Sequence, residues 1–403
     1  MKKIIITLIF IFSLSAFTED ANKIILGIDR INEFIHLFKN KKIGLITNQT
    51  GINSSGVSAI NVLNKNVNLI ALFSPEHGVR GNEREGAIIE NTRDKKTGLP
   101  VYSLYGKTKR PTPEMLKNID ILCFDIQDIG ARFYTYISTM AYAMEECAKH
   151  KKTFIVFDRP NPIGGINVEG NILNEEYKSF VGYFPIVQRH GMTVGELALM
   201  FNKEFKINCN LEIIPMKNWN RENYFDELNL MWIPPSPNIP TAETALIYSG
   251  ICIFEGVNIS VGRGTTMPFR YIGAPFIDAE TLSEELNKLN LTGVFFLPAY
   301  FTPALSIYKN EICKGVQIIV IDKNKFLPVQ AAIVMMHKIK QMYPKNFLIN
   351  NSGNKLCGLN LLTGTNILSS VLDNNKSKIE KYLKLISEDE NKFKIIRKKY
   401  LLY

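Results

Sequence analysis

Three short apolar runs end in the same kind of punctuation, and the residues that follow them are the ones able to do chemistry. Val67–Phe73 (VNLIALF) leads into Ser74-Pro75-Glu76-His77-Gly78, and Ile119–Phe124 (IDILCF) into Asp125-Ile126-Gln127-Asp128-Ile129-Gly130. Thr153–Phe157 (TFIVF) leads into Asp158-Arg159-Pro160-Asn161. Open parallel sheets bind ligands outside the carboxyl ends of their strands. If these strands are neighbours, Glu76, Asp125, Asp128 and Asp158 border one crevice. Glu76 is the hardest of the four to explain structurally. It lies between a Pro and a His in a tight turn, with no helical run three residues on for it to cap, and a partly buried carboxyl there suits general-acid work. Asp128 has a plainer alternative as the cap of a helix beginning near Ala131. Asp158 has one as a turn-former ahead of Asn161. Glu196 belongs to a capping box with Thr193 and is set aside.

Other chemistries lack their residues. His77 and His190 are each followed by Gly but do not have the i, i+4 spacing of a helical metal motif. No GxSxG, P-loop or GxGxxG is present. The six cysteines are scattered, with no CxxC or Cys/His pair at zinc spacing. Neither a metal nor a cofactor is therefore expected. Two rival readings remain: strand-end aspartates also hold Mg²⁺ in phosphatase-like hydrolases, and two lobes around a cleft also suit capture of a ligand without turnover. Further along, glycines flank Arg263 in Glu255–Thr266, so its guanidinium can approach a ligand and grip a carboxylate through both nitrogens. Arg132, Tyr134 and Tyr136 follow Asp128, where aromatic rings could stack on a sugar.

The elements that must position these residues alternate. Strand candidates at 42–47, 67–73, 119–124, 153–157 and 211–214 are separated by amphipathic stretches, the best running from about Ala131 to Lys149. This pattern predicts an α/β fold: a Rossmann-like, mostly parallel sheet domain over residues 19–220. The Pro-dense segment Trp232–Pro240 reads as a crossover into a second, smaller α+β lobe, residues 221–403. Residues 1–18, with Lys2 and Lys3 ahead of an apolar run from Ile4 to Phe12 and then Ser13, Ser15 and Ala16, read as a secretory signal. That run is short against the roughly 20 residues of a membrane span. The expectation is a periplasmic or extracellular protein with no stable membrane association after cleavage. The net charge of +10 comes largely from scattered lysines, and export makes nucleic acid a poor partner.

Seven segments carry a resemblance: SPEHGVRG (74–81), FDIQDIGARFYTY (124–136), DRPNPIGG (158–165), VEGNIL (168–173), RHGMTVGELA (189–198), PPSPNIPT (234–241) and EGVNISVGRGT (255–265). Together they resemble the NamZ-type exo-β-N-acetylmuramidases, in order and over most of the mature chain. The resemblance implies a Rossmann-like domain joined to a smaller lobe, with the site in the cleft between them. It implies release of N-acetylmuramic acid from the non-reducing end of peptidoglycan fragments, without a cofactor. The family's catalytic glutamate falls in the motif matched by Glu76. His77 or Asp125 would tune it, and Asp125 or Asp128 would attack or activate water, unless the substrate's own acetamido group does so. The matched motifs suggest Arg132, Tyr134, Asp158, Asn161, Glu169, Arg189, His190, Asn238, Asn258, Arg263 and Thr265 as substrate contacts. Arg263, ahead of Arg132 and Arg189, would read the lactyl carboxylate that separates N-acetylmuramic acid from N-acetylglucosamine. The one departure is Val257, where similar sequences often have Thr. The binding alternative becomes, in this light, a muropeptide-binding protein.

Overall fold

The structure, a computed structural model, describes residues 23–76, 78–81, 92–351, 353–373 and 379–403. The expected secretory segment and His77 lie outside the described residues.

The first lobe is built on seven strands: β1 (Ile43–Thr47), β2 (Leu69–Ser74), β3 (Thr92–Arg93), β4 (Pro100–Ser103), β5 (Ile121–Asp125), β6 (Thr153–Phe157) and β7 (Asn210–Ile214). They form one sheet in the order β3-β4-β2-β1-β5-β6-β7. Every neighbouring pair is parallel except β3 with β4. Every residue of β1 and β5 is buried, which is what continuous apolar runs become when helices cover both faces of a parallel sheet. The strand order reverses at β1, flanked by β2 on one side and β5 on the other. Thr47 pairs with Asp125, and Ile46 with both Phe73 and Phe124. The three strands thus end level, and the segments from Asn48, Pro75 and Ile126 leave along one edge. This is the topological switch point, where such sheets bind ligands.

The helix expected from Ala131 spans Tyr136–Lys149 instead. Ala131 forms a β-bridge with Arg189, and the Arg132 amide donates to the Gln188 carbonyl at 2.7 Å. That pairing holds residues 131–135 out of helical geometry. From Ile137 the expected spacing takes over, and Met140, Ala141, Met144 and Cys147 pack into the core on one side of the sheet. The Thr193–Glu196 capping box opens the helix Val194–Glu204 as anticipated.

The second lobe centres on β8 (Tyr271–Ala274), β9 (Val294–Phe301) and β10 (Cys313–Val320), an antiparallel sheet ordered β8-β10-β9. Helices Ala242–Ile251, Ala279–Asn287 and Pro328–Met342 pack on it. The crossover segment is fixed to the first lobe: Gln49 Nε2 donates to the Pro234 carbonyl at 3.0 Å and the Tyr136 hydroxyl to that of Pro235 at 2.9 Å. The chain then returns. Helix Ile379–Arg397 buries Phe393 in the first lobe's core, and Arg397 donates to the carbonyls of Gly165 and Gly191. The C-terminal helix thus ties the second lobe to the first. All six cysteines are buried free thiols, and no helix among the described residues is long and apolar enough to cross a membrane.

Candidate active-site cleft

A cavity of about 440 Å³ opens between the lobes above the carboxyl edge of the large sheet. The first lobe contributes Glu76 at the exit of β2, Tyr105 and Lys109 beyond β4, Phe133–Tyr136 leading into helix Tyr136–Lys149, and Ser179–Val181. The crossover contributes Ser236, Asn238 and Ile239. The second lobe contributes Tyr248, Cys252, Glu255, Arg263 and Phe269. Glu76 is half-buried, so its carboxyl faces the cavity without being sealed from a ligand.

One wall is a run of aromatic rings in edge-to-face contact. Tyr136 meets Tyr134 at 5.1 Å between centroids, Tyr134 meets Tyr248 at 5.8 Å, and Tyr248 meets Phe269 at 4.6 Å. The Arg263 guanidinium lies 5.0 Å over the Phe269 ring and is paired with Glu255. This end combines ring faces suited to sugar C–H groups with a cation suited to a carboxylate. Burial pushes up the pKa of the Tyr134 and Tyr136 phenols, and the nearby charges of Glu76 and Asp128 add to it. Both hydroxyls thus stay protonated beside the two carboxylates.

Asp128 sits behind this wall, almost fully buried. It does not cap the following helix. Its Oδ2 accepts the Gly130 amide at 2.8 Å in a tight turn that Gly130 closes at φ +84°, while Oδ1 is buried and has no hydrogen-bond partner among the described residues. A side chain on Gly130 would collide with Asn161 Oδ1. His190, wholly buried, accepts the Met192 amide on Nδ1 at 3.2 Å, so a neutral ring carries its proton on Nε2, 3.6 Å from Asp128 Oδ2.

Several other expected site residues are structural. Asp125 does not border the crevice: it is fully buried and clamped by Arg159, Nε to Oδ1 at 2.6 Å and Nη2 to Oδ2 at 2.9 Å. Asp158 is also sealed. Its carboxylate accepts from the amides of Arg159 and Gly195 and from the hydroxyls of Thr193 and Tyr403, all within 2.9 Å. The oxygens of Asp125 and Asp158 are thus occupied by protein donors, and among the described residues no group of three acidic, His or Cys side chains is placed to hold a metal. Arg132 is buried with its guanidinium on the carbonyls of Asn171, Ile186 and Leu362, which ties the lobes together. Burial lowers its pKa to about 10. Arg189 pairs with Glu169 at 2.7 Å, and Glu169 in turn accepts the Val329 amide at the start of helix Pro328–Met342. That exchange is a second inter-lobe tie. Asn161 donates to the Met192 carbonyl. Asn258 bonds the backbone of Asn346 and Leu348, and Thr265 closes the turn on Gly262. None of these lines the cavity. Of the expected contacts, Glu76, Tyr134, Asn238 and Arg263 do. Sequence reading missed Tyr105, Lys109, Phe180, Tyr248 and the pairing role of Glu255.

A mostly parallel sheet whose switch point faces a cleft of carboxyl groups, phenols and one arginine suits an enzyme that acts on a sugar. Relatives give that class its place. Sequence models described as exo-β-N-acetylmuramidase NamZ, N-terminal and C-terminal, match residues 43–243 and 246–403. The chain is 48% identical over 389 residues to the peptidoglycan β-N-acetylmuramidase NamZ of Bacillus subtilis (strain 168), covering 96% of this chain and 93% of that protein. Crystal structures of two DUF1343 family proteins from Bacteroides fragilis share the fold. One has a TM-score of 0.88 at 40% identity, covering 95% of this chain and 99% of the other; the second has 0.72 at 34%, covering 94% and 99%. The chain belongs to the NamZ exo-β-N-acetylmuramidase family and is a glycosidase.

Proposed function

We propose that this peptidoglycan glycoside hydrolase releases N-acetylmuramic acid from the non-reducing end of peptidoglycan fragments, with Glu76 as the proton donor. The observation that carries the reading is Glu76 half-buried at the exit of β2, on the wall of a cavity whose far end holds Arg263. The cavity's size suits one sugar with part of a second. Glu76 gives its proton to the glycosidic oxygen as the bond to the anomeric carbon breaks. A water oxygen ends on that carbon, and the water's proton restores Glu76. Asp125 is withdrawn from the mechanism by its pairing with Arg159. Glu255 is the second carboxylate on the cavity wall and holds Arg263 in place, which presents a cation to the lactyl carboxylate.

Export is the location that suits a cell-wall substrate, and it rests on the Lys2–Ala16 pattern. Mass spectrometry of protein recovered outside the cytoplasm should show a start near residue 19.

The activity is tested by comparing a chromogenic β-N-acetylmuramide with the matching β-N-acetylglucosaminide, each with and without EDTA. Turnover of the muramide alone, unchanged by chelation, is expected. Equal turnover of both sugars, or activity that returns only with Mg²⁺, would refute the reading.

A further inference from the structure

One end of the cavity is more enclosed than the other. Tyr248, Cys252 and Phe269 at the Arg263 end are buried, with Arg263 and Glu255 partly so, whereas Tyr105 and Phe180 are half-buried and Lys109 is exposed. At this open mouth the Lys109 ammonium rests 3.9 Å from the Phe180 ring centroid and 5.9 Å from that of Tyr105, whose rings are 6.4 Å apart. Phe180 is backed by Tyr142 at 5.8 Å, and Tyr142 lies under the Arg110 guanidinium at 4.0 Å. Arg110 is itself anchored by Glu145 and Glu146. Lys109 differs: among the described residues, no carboxylate forms an ion pair with it. Two ring faces therefore hold an ammonium at the mouth by cation–π attraction, which leaves its charge available to an anion.

An enzyme that removes the terminal sugar places that sugar in the more enclosed end, beside Arg263, so the remainder of the chain leaves through the mouth. We infer that Lys109, held on Phe180 and Tyr105, forms a leaving-side subsite for a carboxylate carried by the substrate beyond the bond that is cut. The inference rests on the muramidase reading and adds a substrate class to it: oligosaccharides with a second N-acetylmuramic acid on the leaving side, in preference to a disaccharide whose leaving sugar is neutral. Lys109 is a specificity residue and takes no part in bond cleavage.

The test uses thio-linked, non-hydrolysable ligands, so binding is read independently of turnover. The ligands are a muramic-acid-terminated disaccharide and a tetrasaccharide with a second muramic acid on the leaving side, titrated into the wild-type protein and Lys109→Met. The wild type should bind the tetrasaccharide more tightly. Lys109→Met should weaken tetrasaccharide binding roughly three- to tenfold and leave the disaccharide unchanged, and Lys109→Arg should restore it. Equal weakening of both ligands, or of neither, overturns the subsite. Absence of turnover of the chromogenic muramide by the wild-type protein would count against the muramidase reading alone, because the binding comparison would still decide the role of Lys109.

Discussion

Asp125 and Arg159 close on each other at the carboxyl end of the large sheet through two nitrogen–oxygen contacts of 2.6 and 2.9 Å, with both side chains shut off from solvent. Arg159 Nη2 also donates to the Ile52 carbonyl at 2.7 Å, which ties the loop after β1 to the same pair. Removing one partner leaves the other charge buried, at a cost of about 3–5 kcal/mol. Asp125→Asn should therefore lower the unfolding midpoint sharply while the folded fraction keeps near-normal turnover. Denaturant unfolding beside an activity assay separates the two. A stable variant with no activity would return Asp125 to the mechanism.

Asp158 gives a pH signature. Burial, reinforced by the charge of Glu196, pushes its pKa up from 3.8 to about 6. Between those values the unfolded chain has released the proton that the folded chain still holds. The unfolded state then binds fewer protons, so stability falls as pH rises across this window and levels off above it. The stability difference between wild type and Asp158→Asn should thus shrink by about 2–3 kcal/mol from pH 4 to pH 6.5. Urea unfolding across that range measures it, and a difference that grows with pH would contradict the assignment.

Arg263 should set the choice of sugar. Arg263→Gln leaves the lactyl carboxylate without its cation, so kcat/KM for the muramide should fall by roughly tenfold or more. Any trace of activity on the glucosaminide should barely move. Steady-state kinetics on both chromogenic substrates reads the ratio, and loss of both activities in parallel would make Arg263 structural.

The sheet was legible because β1, β2, β5 and β6 are short apolar runs with punctuation at their ends. β3 and β8, of two and four residues, carry too little pattern to stand out. The site was harder to read. Glu76, Asp125 and Asp158 look alike as carboxyls that follow strands. What separates them is tertiary: Arg159 reaches Asp125 from the neighbouring strand, and the start of helix Val194–Glu204 closes on Asp158. Arg132 and Arg189 were credible sugar contacts by type, yet the lobe interface uses them to satisfy buried carbonyls and Glu169. Tyr105 and Lys109 share the loop after β4 and Phe180 comes from another, and no local pattern joins the two loops before the fold does.

The central claim is that Glu76 protonates the departing oxygen, and two leaving groups test it most directly. A nitrophenolate departs with little help from an acid, whereas a sugar alcohol needs the proton. In Glu76→Gln, kcat on muramic-acid-terminated disaccharide should fall by roughly 10²–10⁴-fold, with a much smaller loss on the nitrophenyl muramide and little change in substrate affinity. Equal losses on both substrates, or near-normal turnover of the disaccharide, would contradict the account.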